Sequence, residues 1–228
     1  MSPTKLQLLN SQIIACERCP RLIAHCRHIA QVKRRAYQDQ EYWGRPVPGF
    51  GDSLARVLLL GLAPGAHGSN RTGRMFTGDS SGNFLYPVLH ETGFASQPTA
   101  TDLHDKLKLH DAYITACARC APPDNKPTRE ELANCSHWLD HELALLKNLQ
   151  VVVVLGKIAF DGYLAHLLRT NQIPSRSGYK FAHAAKYKLP NGITLLASYH
   201  PSQQNTLTGR LTRPMFLSIF HTARELIK

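Results

Sequence analysis

The stretch Gln150-Val151-Val152-Val153-Val154-Leu155-Gly156 (QVVVVLG) decides how the rest of the chain is read. Its apolar run has the length of a strand. Continuous apolarity, rather than alternation, marks a strand buried on both faces, as in a parallel sheet. Three runs of the same kind accompany it: RVLLLG (56–61), DAYITAC (111–117) and GITLLAS (192–198). Helical stretches separate them, at 82–92, at 157–169 and at 214–227. A further helix is opened by a Thr128/Glu131 capping box and runs to about Lys147. This βαβα order predicts a three-layer α/β/α fold around a central, mainly parallel, four-stranded sheet. Ligands of such sheets bind beyond the carboxyl ends of the strands. The loops GLAPG (61–65), CAPPDNKP (120–127) and YHPSQQN (199–205) are therefore expected on one rim. Residues 173–191, basic and Tyr-rich, read as an excursion or β-hairpin. With no repeat or linker in view, residues 1–228 are expected to form one domain.

The chain has 228 residues, of which 27 are Lys or Arg and 16 are Asp or Glu, a formal charge of +11. A surplus of that size favours a polyanionic partner, with counterion release from nucleic acid as the source of affinity. The longest apolar runs, VLLLGLA (57–63) and VVVVLG (151–156), are too short to span a bilayer. The opening MSPTKLQLLNSQ lacks the pattern of a secretory signal, so a cytoplasmic protein without membrane attachment is expected. A monomer is the default, since no oligomerisation signal stands out.

Six cysteines stand at 16, 19, 26, 117, 120 and 135. In a reducing compartment they do not read as a disulfide framework. Cys16 and Cys19 form a Cys-x-x-Cys pair before Pro20, and Cys120 and Cys135 flank APPDNKPTREELAN. Four thiolates in two halves suit either zinc or an iron–sulfur cluster, and spacing alone does not choose. Cys117, in an apolar run, and Cys26, in a basic helical stretch, read as buried structural thiols.

The loop GLAPGAHGSNRTGR (61–74) combines glycines, which permit close backbone approach, with Arg71 and Arg74, which can reach phosphates. It has neither Walker A nor dinucleotide-fingerprint spacing. The pentapeptide GDSSG (78–82) is only superficially like a serine-protease motif, because a triad is recognised by geometry. His200 directly follows a buried strand, and Pro201 turns the chain so that the imidazole stays at the rim. The polar tail after it ends in Arg210 and Arg213.

Together CxxCPRL, GLAPG, CAPPDNKPT…C and HPS, in this order from Cys16 to about Arg213, resemble the uracil-DNA glycosylase superfamily. GLAPGAHGSNRTGRMFTGDSSGNFL and HPSQQNTLTGRLT are similar to its type-5 (type b) members. The type-4 members carry a carboxylate where this chain has Leu62, a departure that moves the catalytic acid elsewhere. The resemblance implies a structural [4Fe–4S] cluster on Cys16, Cys19, Cys120 and Cys135, anchoring the amino-terminal segment. It implies Asp79 as the catalytic aspartate, Asn125 positioning the base, His200 at the base carbonyl and Phe76 stacking on the base, with Gly61, Ala63 and Gly65 also at the base. Arg71, Arg74 and Arg210 are then candidates for phosphate contacts and Gln203 and Asn205 for further DNA contacts, and Gln203–Leu207 reads either as the turn that fills the gap left in the duplex or as a plain surface turn. The implied activity is monofunctional excision of uracil, and of hypoxanthine or other deaminated or modified bases, in base excision repair.

These residue types suit that chemistry. The base must leave the stack before its glycosidic bond is hydrolysed. Its departure leaves positive charge on the sugar and negative charge on the base. A carboxylate near the sugar and a donor at the developing oxyanion stabilise the two ends. A non-catalytic nucleic-acid-binding module with a four-Cys metal site would account for the charge and thiols. It would not account for an acid, an aromatic and a histidine on one rim.

Overall fold

The computed structural model describes residues 3–227. The expected runs form β2 (Val57–Gly61), β3 (Ala112–Ala116), β4 (Val151–Leu155) and β6 (Thr194–Ser198), every residue of them buried. They pair in parallel in the spatial order β3-β2-β4-β6, with Val57 opposite both Ala112 and Val151, and Val151 opposite Thr194. This register aligns their carboxyl ends, so the loops after Gly61, Ala116, Leu155 and Ser198 emerge along one edge.

The sheet has six strands rather than the four expected. At its two edges β1 (Phe50–Gly51) pairs antiparallel with β3, and β5 (Lys186–Lys188) pairs antiparallel with β6. Neither carries an apolar run, because an edge strand is covered on one side only and can be short and polar. β5 makes the end of the basic 173–191 excursion the first arm of a hairpin whose second arm is β6.

The alternation of each central strand sorts its side chains to two cores. Val57, Leu59, Ile114, Val151 and Val153 pack against α4 (Ser80–Glu91) and α8 (Arg213–Leu226), through Leu85, Leu89, Phe216 and Phe220. Leu58, Leu60, Tyr113, Val152 and Val154 pack against α5 (Arg129–Leu145) and α6 (Lys157–Arg169), through Leu139, Phe160, Tyr163 and Leu164. The result is a three-layer α/β/α arrangement. No helix among the described residues is long and apolar enough to cross a membrane.

The capping box at α5 forms as read: Glu131 N–H donates to Thr128 Oγ1 (3.1 Å) and Thr128 N–H to Glu131 Oε2 (2.7 Å). Glu131 also accepts from Arg21 at 2.7 Å through both carboxylate oxygens. That pair ties α2 (Pro20–Val32), which follows α1 (Lys5–Ile14), to the central domain. Within α5, Glu142 is fully buried and held by Arg119, Thr115 and Tyr113, which locks the helix to β3.

Candidate active site

Asp79 is the N-cap of α4. Its Oδ1 accepts from Gly82 N–H at 2.9 Å, which fixes the carboxylate against a helix amino terminus. Oδ2 faces the loop after β2, where a Cβ on Gly65 would stand 3.0 Å away and one on Gly68 would overlap it. One oxygen is thus committed to the cap, while the other faces the Gly65–Gly68 loop. Burial raises the Asp79 pKa, against the opposing pull of the Gly82 and Ser81 amides and of Arg71.

Phe76 reaches its place through a backbone with φ of 52°, in a region a bulky residue enters only when its surroundings hold it there. Its ring lies over Gly61, where an added Cβ would be 3.0 Å from Cζ. Gly61, expected at the base, lies beneath Phe76 and is not among the residues that line the cavity. The ring also neighbours His200, centroids 5.8 Å apart with the planes inclined by 31°. Burial alone pulls the His200 pKa down to about 4, so near neutrality the imidazole is uncharged and carries one N–H donor.

Asp79, Phe76, Asn125 and His200 line a single cavity of about 810 Å³ with Ala63, Gly65 and Gln203. Asp124 and Asn125, at the turn after β3, both have positive φ (53° and 56°), the strained backbone that concentrates at functional sites. Tertiary folding adds lining residues that the sequence reading missed: Arg34, Tyr37, His67 and Asp124. His67 shares a 3.1 Å hydrogen bond with the Tyr42 hydroxyl. No motif announced Arg34 and Tyr37, because they come from an irregular segment far from the strand ends.

The structure places the two phosphate candidates of this loop inside the protein. Arg74 is 3% exposed, donates to both Asp105 oxygens at 2.8 and 2.5 Å and bonds Thr77 at 3.0 Å. Burial pushes the Asp105 carboxyl up, but Arg74 and the amides of Leu107 and Thr101 hold it well below the usual range. Arg71 is also buried. It donates to the carbonyls of His67 (2.8 Å) and Gly78 (2.7 Å) and lies 4.0 Å over the Tyr37 ring. Both guanidinium groups are engaged inside the protein, bracing the loop that carries Phe76 and Asp79. Arg210 is exposed, lying 4.7 Å over Tyr199, and Asn205 donates to the His200 carbonyl at 2.9 Å. Leu207, at the end of α7 (Gln203–Leu207), is 78% exposed.

The thiols fall into two neighbouring sets. Cys16 packs with Cys135, and Cys19 packs with Cys120 and Cys26. Burial pushes Cys135 up to about 11, with Cys19 and Cys16 close enough to add to the rise, while Arg119 N–H donates to its Sγ at 3.3 Å. Among the described residues no three His, Cys, Asp or Glu side chains stand at metal-holding spacing. The donor set is nonetheless all thiol, drawn from two segments. An all-thiol set of this kind would suit zinc or an iron–sulfur group alike. Cys117, just after β3, turns its Sγ against Gly162 of α6.

Comparison with known proteins agrees with this geometry. A family model described as the uracil DNA glycosylase superfamily matches residues 48–224. The chain is 54% identical over 215 residues to a type-5 uracil-DNA glycosylase of Thermus thermophilus, covering 94% of each chain. It is 47% identical over 219 residues to that of Mycobacterium leprae, covering 96% of this chain and 94% of the relative. A type-4 uracil-DNA glycosylase of Thermotoga maritima is 32% identical over 119 residues, 52% of this chain and 54% of its own. With the motifs in order, the α/β/α fold beneath them and relatives matched over nearly their full length, this chain belongs to the uracil DNA glycosylase superfamily, alongside its type-5 members.

Proposed function

We propose that this protein is a monofunctional DNA glycosylase that hydrolyses the bond between uracil, or another deaminated base, and its deoxyribose, leaving an abasic site for repair. The observation that carries the reading is the convergence of Asp79, Phe76, Asn125 and His200 on one cavity. The extruded base stacks on Phe76, an interaction worth about 1–3 kcal/mol per base. Asn125 positions it by hydrogen bonding. As the bond breaks, the neutral His200 donates its N–H to the base oxygen on which negative charge develops. Asp79, ionised and held by its cap, stabilises the cationic sugar and orients the attacking water. Leu207 fills the vacated place in the stack, while Gln203, Asn205 and Arg210 meet the strand.

In this reading residues 1–228 act as one domain and as a monomer. Cys16, Cys19, Cys120 and Cys135 hold a [4Fe–4S] cluster, with Cys26 and Cys117 left out. The cluster supplies mechanical fastening of the amino-terminal segment, since the hydrolysis has no redox step. The all-thiol donor set supports it. No lysine in these motifs is placed to attack the sugar, which supports simple hydrolysis over lyase chemistry.

The test is incubation with a duplex bearing one uracil, followed by hot alkali. Strand breakage at the uracil after alkali, and none before it, is expected. An intact strand under both conditions would leave a binding module as the surviving reading.

A further inference from the structure

Beside the cavity that holds Asp79 lies a second, of about 270 Å³; His200, Asn205 and Arg210 of its lining take part in the proposed mechanism, but no part of the substrate has been assigned to its interior. Leu62 and His200 line both, so the two spaces are separated by little more than a side chain. The walls of the second are aromatic and aliphatic: Phe181 and Tyr199, with ring centroids 6.1 Å apart, face Leu155 and Ile158. Its lining also includes two exposed cations, Arg210, which lies over Tyr199, and Lys157.

The charge around it is one-sided. From Gly162 to Arg224 the chain carries eight Lys or Arg residues and no Asp or Glu. Three of the eight, Arg169, Arg213 and Arg224, are paired with carboxylates outside that stretch. Arg176, Lys180, Lys186, Lys188 and Arg210 have no carboxylate partner among the described residues. Lys157 is paired with Asp161 at 2.6 Å, which leaves Arg210 as the unpaired cation of the lining. Two aromatic rings tilted 55° to each other, with that arginine over one of them, suit a planar ring attached to a phosphate. The volume is that of one nucleobase with room to spare.

We propose that this second cavity is a subsite for the nucleotide adjacent to the extruded one on the same strand. Its base packs against Phe181 and Tyr199, and its phosphate meets Arg210. The inference rests on the glycosylase reading and extends it, because it makes the enzyme grip two consecutive nucleotides. His200 then serves as the partition between them, touching the reacting base on one side and its neighbour on the other. A single-stranded substrate, whose bases are free to splay, fills the subsite without the cost of unpairing a second base.

The experiment measures binding of a labelled single-stranded oligonucleotide with a tetrahydrofuran abasic residue at its centre, which mimics the product. In two further oligonucleotides the base on the 5′ side, or on the 3′ side, is also removed. One of the two removals is expected to weaken binding by between about fivefold and a hundredfold, the range of single-base stacking on an aromatic. Phe181→Ala should shrink that penalty to less than twofold, and Phe181→Tyr should keep it. Arg210→Gln should weaken binding of every oligonucleotide and lower its salt dependence. Equal binding of all three oligonucleotides, or a penalty undiminished in Phe181→Ala, would overturn the subsite. Excision from a uracil oligonucleotide is assayed in parallel. Excision without a neighbour-base penalty sinks the subsite alone, whereas a penalty without excision sinks the glycosylase reading and leaves a two-nucleotide binding site.

Discussion

Asp79 Oδ2 occupies the space that a side chain on Gly68 would need. The carboxylate is therefore held from two directions, by the cap to Gly82 and by the bare backbone of the loop after β2. Gly68→Ala is expected to push the carboxylate aside by a fraction of an ångström or more. Turnover should fall by about 10²-fold, the scale on which such misplacements act. Thermal melting and single-turnover excision check this together: an unchanged rate in a folded variant would mean that the position of Oδ2 is unimportant.

Asp79 works in its ionised form, and burial raises its pKa, so the acid limb of the pH–rate profile should lie above the ordinary aspartate range. Activity is lost as pH falls through that value. His200, held near 4, stays neutral from pH 5 to 8 and should add no inflection there. Asp79→Asn should reduce turnover by about 10²–10⁴-fold and remove the limb. A raised carboxyl pKa means that the ionised form costs stability at neutral pH. Asn caps a helix as well as Asp, so this variant should melt at or above the wild-type temperature at pH 7. An inflection near pH 6.5 that disappears in His200→Asn would contradict the neutral-donor role.

Arg74 and Asp105 form a buried pair, and removing one member leaves the other uncompensated. Arg74→Ala is expected to cost about 3–5 kcal/mol by denaturant unfolding. At temperatures where the variant is folded, the salt dependence of DNA binding should match the wild type. Exposed Arg210 should behave the other way: Arg210→Gln leaves stability within about 0.5 kcal/mol and lowers the salt slope by roughly one. A reduced slope in Arg74→Ala would return that residue to the DNA interface.

Leu207 is exposed at the tip of α7, where an apolar side chain gains nothing from the fold. Leu207→Ala should lower excision from duplex DNA by roughly tenfold, since unstacking costs a few kcal/mol, while excision from single-stranded DNA changes less than twofold. Equal losses on both substrates would show that Leu207 does not act as a wedge.

Protein purified without oxygen is expected to be brown and to contain about four irons and four sulfides per chain. Cys135→Ser should lose the iron and loosen the amino-terminal helices to proteolysis. Cys117→Ser, whose side chain packs against Gly162 of α6, should retain both iron and resistance. Colourless protein with one bound zinc would replace the cluster by a zinc site.

The four buried strands and the helices between them were legible because their signals are local. Val151–Leu155 announces itself by composition, and Thr128 with Glu131 announces the start of α5. Phe50–Gly51 was not legible and Lys186–Lys188 only as part of an excursion or hairpin, since both depend on a neighbour for their pairing rather than on any pattern of their own. Among the site candidates, Asp79, Phe76, Asn125 and His200 come together as the rim argument requires. Arg71 and Arg74 do not reach the surface, because whether a guanidinium is free depends on carboxylates and carbonyls distant in sequence.

By itself the sequence determined the layer order and the rim, through apolar runs and capping signals that each act within a few residues, while the candidate acid came from the resemblance of its motifs to a family. Only the tertiary structure decided which charges are spent. Asp105 approaches Arg74 across 31 residues, and Gly78 and His67 offer Arg71 the carbonyls that hold it inside. It also decided the setting of Asp79, whose helix cap is local but whose burial comes from the chain folded around it. Sequence names the groups; desolvation and the partner each one meets are properties of the packed chain.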